Sequence, residues 1–387
     1  MVFLVAIPAV AATLLAQEAQ IRRDGSYWER TETNTVNQVP AHLLKINTRG
    51  HVIVRGTTGD RITYRLTERV KARTQEEAHR LFHSSISNAI NRGGSTVLTI
   101  MPMAHESVVT QLEVSVPNRI AGVMVDAQPG DVEAYDVDGN LHVDTTAGMI
   151  RCDRIRGGLE GKTGGGEIRL GKIGGPVQCV SAAGSIFVDS AGAEANCQTI
   201  GGEIQIREAS GPVTLSTEGG NIQVDKAAGW VQAHTGAGVI QVAQATGMVF
   251  ADTRGGSIEI GGSRGAQCQS AAGQIRVKTS TGPLRVQTAM GSILAELLSG
   301  ARLEDSSLVA GSGDITVLIP SNLALSVLAR NESGANPRIV SDFSEVRAQA
   351  KTVGFSRPLV YQGSINGGGP LLSINTAGGI IYVRRSK

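Results

Sequence analysis

At 387 residues the chain is long enough to bury a large core or to hold more than one domain, and 36 basic against 34 acidic residues leave a net charge of only +2. That balance, with no long run of either sign, argues against a nucleic-acid partner. Forty-nine glycines beside 3% aromatics argue against a conventional layered core built on large anchors.

The first stretch, Met1 to Ala16 (MVFLVAIPAVAATLLA), is almost wholly apolar and gives way to polar residues at Gln17. This is the pattern of a secretory signal with cleavage near Ala16, although no Lys or Arg opens it. The mature chain is therefore expected to be exported, to the periplasm, the cell surface or the medium. At about 14 apolar residues the stretch is short for a membrane span, so no integral span is expected in the mature chain. No cysteine follows within reach, which does not support a lipid-anchored form.

Residues 17–120 form a β-rich N-terminal region in this reading. Strands are predicted around Leu43–Val54, Arg61–Thr67, Val97–Met101 and Gln111–Val116. One helix is predicted near 74–90, opened by a Thr74-x-x-Glu77 capping box. The region serves as a separate β domain or as an irregular first cap, running into a repeat at about Ala121.

The repeat carries the strongest signal. From Gly130 onward glycines recur nearly every nine residues, and alternate units differ, so the true period is 18: one unit reads Gly-x-Ile-x-Val, the next Gly-x-Val-x-small-x-Thr. The first kind supplies Ile150, Ile168, Ile186, Ile204, Ile222, Ile240, Ile258, Ile275, Ile293 and, after a four-residue insertion, Ile315. A second apolar residue stands two positions on, the alternation of a strand with one buried face. The facing units contribute Leu141, Val177, Val213, Val231, Val249 and Leu284, with small residues such as Cys179, Ala233 and Ala251 behind them. Hydroxyls at Thr145, Ser181, Thr217, Thr235, Thr253 and Thr288 are placed to bond corner backbone groups. Glycine at each corner is expected to supply dihedral freedom. The fold class is therefore all-β: a parallel β-solenoid of two strands per coil over 121–319. Residues 320–387 follow as an irregular segment whose last units, Gly369–Thr376 and Gly379–Val383, return to the rhythm as capping coils.

Residues 40–385 resemble the bacterial adhesin-domain family of β-strand-repeat proteins, a domain of unknown function. The resemblance rests on the Gly-x-Ile-x-Val units, on the phrase Gly313-Asp314-Ile315-Thr316-Val317-Leu318-Ile319-Pro320, and on the closing Gly363-Ser364-Ile365-Asn366-Gly367-Gly368-Gly369. It implies an exported, solenoidal, non-catalytic protein and supplies no catalytic residues.

Parallel β-helices also serve as polysaccharide lyases and hydrolases, which need clustered carboxylates or a basic residue on adjacent coils. The aligned acids Asp153, Asp189 and Asp225 fall on every second coil, about 10 Å apart, and read as turn residues. The units place isoleucine where a calcium-binding β-roll needs glycine, so calcium is not indicated. His79 and His83 lack the Glu of a metalloprotease helix, and Lys162–Gly166 lacks phosphate-loop spacing. No metal, cofactor or catalytic residue is expected. Cys179 and Cys197 share a core column on adjacent coils, but parallel side chains bridge poorly, so free thiols are expected. One outward feature remains: Trp230, Met248 and Phe250 point away from the core on neighbouring coils and form a candidate contact patch for a protein, a glycan or a second copy. The leading reading is an exported structural or interaction module of the cell envelope. Its alternatives are a carbohydrate-active β-helix enzyme and an envelope-stress or signalling component.

Overall fold

The computed structural model describes residues 14–16, 20–36, 42–82, 85–92, 94–102, 108–299, 303–333, 338–349 and 358–386. Most of the expected signal segment lies outside them. The chain divides into two compact units, Met1–Gly192 and Ala193–Lys387. Each is a two-sheet parallel β-solenoid carrying a cap of antiparallel strands. The isoleucine units build one sheet of each, the valine units the other.

In the first unit the valine sheet stacks Gly122–Ala127, Asn140–Thr145, Leu159–Thr163 and Val177–Ser181 in parallel, while the isoleucine sheet stacks Val132–Tyr135, Ile150–Asp153, Ile168–Ile173 and Ile186–Ala191. Ile150 pairs with Ile168 and Ile168 with Ile186, so the 18-residue spacing becomes a vertical column. The second unit continues the pattern within itself, with Ile204, Ile222, Ile240, Ile258, Ile275, Ile293 and Ile315 in register. All ten predicted isoleucines are buried. Each removes its side chain from water, a gain of roughly 1.5–3 kcal/mol per residue set against backbone ordering.

Five of the six predicted hydroxyls act in both directions at the corners, while Thr288 donates to the Gly273 carbonyl and leaves the Gly291 N–H to the Ser312 carbonyl. Thr235 Oγ1 accepts from the Gly238 N–H at 3.1 Å and donates to the Gly220 carbonyl of the preceding coil at 2.8 Å. Thr163 does the same between Gly166 and Gly148. Glycine has a different job there from the one expected. Gly148 and Gly238 do not adopt the left-handed conformation; a Cβ on either would collide with the carbonyl oxygen of Gly130 or Gly220 one coil away. Close backbone approach, more than dihedral freedom, demands the missing side chain.

Parallel stacking reaches upstream of Ala121. Leu43–Thr48 lies between Ser95–Pro102 and Gly122–Ala127, and His51–Thr57 between Val108–Pro117 and Val132–Tyr135. The coil formed first in the chain is thus sandwiched between two later ones. Outside it, Ile62–Lys71 and Tyr27–Val36 extend the isoleucine sheet antiparallel, and Leu14–Ala16 pairs with Asn34–Val36.

The helix, α1, runs Gln75–Phe82 rather than to Ile90. Thr74 caps it as expected, its Oγ1 accepting from the Glu77 N–H at 3.2 Å, while the Glu77 carboxylate reaches one residue past the cap and accepts from the Arg73 N–H at 2.9 Å. Phe82 and Ala78 pack on Val70, with Trp28 beside them. Beyond it, Ser85–Arg92 is a strand in a hairpin with Ser95–Pro102, Arg92 facing Ser95 and Gly94 at φ +85°. Ser85, Ser87 and Asn88 are weak helix formers, and pairing with Ser95–Pro102 supplies a strand partner instead.

The C-terminal cap repeats the sandwich. Leu371–Thr376 enters between Ser306–Ser312 and Leu325–Asn331, and Ile380–Ser386 between Ile315–Pro320 and Arg338–Ser341. The closing phrase is the crossover that makes this possible. Asn366, Gly367 and Gly368 all have positive φ, and Asn366 Nδ2 donates to the Ser321 and Leu323 carbonyls at 2.7 and 3.0 Å.

Candidate interaction surface

The alternation that buries Val231, Ala233 and Thr235 turns Trp230, Gln232 and His234 outward, and burying Val249, Ala251 and Thr253 does the same for Met248, Phe250 and Asp252. Val231 pairs with Val249 and Gln232 with Phe250, so Trp230 stands one strand spacing from Met248 and diagonally from Phe250. The Trp230 carbonyl accepts from the Val213 N–H at 3.0 Å, which ties its backbone to the neighbouring strand. Trp230 is 41% exposed, Phe250 39%, and Met248 is half-buried. The Met248 sulfur lies over Gly265, where a Cβ would meet it.

Beyond the patch the same outward face becomes mostly polar. Gln267 and Gln269 follow on the next strand, then Arg285 and Gln287, then Ser307 with Val309, then Ser373 with Leu371. These side chains line a groove of about 440 Å³ with Asp305 at its rim. The Asp305 carboxylate accepts from the Leu371 N–H at 2.8 Å, so the inserted terminal strand forms one wall. The periodicity pointed to the aromatic end of this face; the groove depends on a strand 66 residues downstream of Asp305 and carries no local signature.

Of the three aligned acids, Asp153 and Asp225 are held locally. Asp153 accepts from the Lys172 N–H at 2.9 Å, pairs with Arg154, and folds onto Gly171, where no side chain obstructs it. Asp225 accepts from Gln223 Nε2 at 2.9 Å. His83 lies outside the described residues. All four cysteines are buried. Burial pushes the Cys152 and Cys268 thiols up to about 12. The other resolved shifts also move away from neutrality. Arg154 holds Asp136 low, Lys162 and then His142 hold Glu160 low, and Arg384 with the Arg385 backbone N–H holds Asp342 low. Lys162 is raised by Glu160, and burial with Glu133 raises Tyr135. Among the described residues no helix is long and apolar enough to cross a membrane.

Fold and surface together define the class: a capped parallel β-solenoid with one outward face bearing an aromatic cluster. No protein-family model matches the chain, and no curated protein matches it. Among solved structures it is similar to a candidate cell adhesion protein from Clostridium sporogenes, with 10% identity over 92% of this chain and 100% of that one at a TM-score of 0.21. It is also similar to a candidate adhesin from Parabacteroides merdae, with 8% identity over 93% and 96% at a TM-score of 0.26. A candidate lipid-binding protein from Parabacteroides distasonis gives 13% identity over 92% and 97% at a TM-score of 0.23. At superpositions this loose the likeness carries no argument, and the fold rests on the pairing register itself.

Proposed function

We propose that the chain is an exported, non-catalytic interaction module of the cell envelope or surface, presenting the valine-sheet face of its second unit to a partner. The observation that carries this is the exposure of Trp230 and Phe250, with Met248 between them, on neighbouring strands of a rigid sheet. Contiguous exposed apolar side chains mark contact surfaces, and aromatic residues dominate the energetics of such contacts. The non-catalytic part draws support from the engagement of two of the aligned acids, Asp153 with the Lys172 N–H and Arg154 and Asp225 with Gln223. Export draws its support from the apolar leader.

The test is acrylamide quenching of Trp230 in a Trp28→Phe background, alone and with an envelope fraction. The isolated monomer should show red-shifted, quenchable emission that becomes protected on addition of the fraction. Emission already blue-shifted and shielded in a verified monomer refutes the contact surface. Alkaline phosphatase fused after the leader should be active; an inactive fusion refutes export.

A further inference from the structure

We propose that this face binds a neutral glycan chain, seated with sugar rings on Trp230 and Phe250 and hydroxyls along the glutamine-lined groove; the proposal rests on the surface named above. Three properties point to that class of ligand.

The first is charge. Over the strands from Val213–Thr217 to Leu284–Met290 the outward positions carry Asp252 and Arg285 as their only full charges, the rest being Thr, Ser, Gln, His, Gly, the aromatic patch and, at the far end, Ala289 and Met290. With Asp305 at the groove rim and Arg264 at the entrance to the Gly265 strand, two acids and two bases cancel. The isoleucine sheet of the same unit is different, with Lys226 paired to Glu208 at 3.1 Å and Lys278 to Glu259 at 2.9 Å on its outer face. On these strands Arg285 is the one cation that a polyanion could neutralise, with Asp252 and Asp305 opposing it, whereas a neutral polymer loses little there.

The second is hydrogen-bonding capacity. A Gln side chain offers two donors and two acceptor lone pairs, matching hydroxyls that donate and accept at once. Among the described residues no side chain engages the amides of Gln267, Gln269 or Gln287, whereas Gln223 on the other sheet is bonded to Asp225. The third is the arrangement of apolar surface. It is narrow, running from Trp230 to Met248 and across Gly265 to Pro283, with amides directly beside it. A broad protein contact would call for a wider apolar centre. A sugar ring, with an apolar face and polar edges, fits the narrow strip. From the Trp230 strand to the inserted Leu371 strand is five strand spacings, about 24 Å, which suits an oligosaccharide rather than one sugar.

The test is affinity electrophoresis of the full chain through native gels containing glucan, xylan or mannan, with polygalacturonate as the acidic comparison. At least one neutral polymer should retard the protein, with retardation persisting in about 0.5 M salt, where charge attraction is screened. Trp230→Ala, and Gln267→Leu with Gln287→Leu, should each weaken retention at least about tenfold. Gln223→Leu on the opposite sheet should leave it unchanged, and circular dichroism should show all variants folded. Absence of retardation in every neutral gel, retention only by polygalacturonate, or full retention by a folded Trp230→Ala variant overturns the proposal. If the neutral gels fail while an envelope fraction still protects Trp230 from quenching, the glycan assignment falls and the contact surface survives with a protein partner.

Discussion

Replacing Ile222 by Ala tests the register on which everything else is built. Ile222 is 1% exposed and stands between Ile204 and Ile240 in the column. Truncating such a side chain removes its transfer energy and leaves a cavity that a stacked sheet closes poorly, so the cost is about 2–5 kcal/mol. For a unit of this size each kcal/mol lowers the melting temperature by roughly 2–4 °C, giving a loss of roughly 4–20 °C. Gln223→Ala, one residue along and facing solvent, should stay within about 0.5 kcal/mol. Far-ultraviolet circular dichroism melts of both variants provide the assay, with limited proteolysis to detect coils that open locally. Equal melting temperatures, or a larger loss from Gln223→Ala, would refute the assignment of inward and outward faces.

Thr235→Val keeps the shape of a fully buried side chain while leaving the Gly238 N–H and the Gly220 carbonyl without their partner. Each orphaned group costs about 1–3 kcal/mol, read as a lower urea midpoint, and Thr235→Ser should recover most of it. The Cys152 and Cys268 thiols, raised to about 12, should resist iodoacetamide at about pH 8 in the folded protein and react once guanidinium unfolds it. Stoichiometric native labelling of either would contradict their enclosure. Ending the chain after Ile365 strips out strands paired on both sides in each sheet, exposing four edges. Light scattering should show self-association, relieved by a peptide spanning 366–387; a monomer with an unchanged melt would refute the sandwich.

Much of this was legible in the sequence because a solenoid writes its geometry locally. Period 18 with alternation of two fixes which side chains face inward, so the isoleucine column, the valine column and the hydroxyl corners follow from spacing alone, as does the outward direction of Trp230, Met248 and Phe250. The capping box likewise announced where α1 begins. Its end was misread because the apolar spacing through Ile86 and Ile90 suits a helix, while the hairpin that claims Ser85–Arg92 depends on pairing with Ser95–Pro102.

The order of the coils was decided only by tertiary structure. Repeats carry nearly the same pattern, so nothing in Leu43–Thr57 or Leu371–Ser386 says which neighbours it will have. Any strand of matching alternation satisfies a parallel edge, and the choice falls to the long connections and caps that leave one slot open. The role of the corner glycines was hidden for a related reason. Composition shows that a side chain is missing, but the carbonyl one coil away that forbids it is brought there by the stack. The groove beside Phe250 has the same origin, for its far wall is the inserted terminal strand.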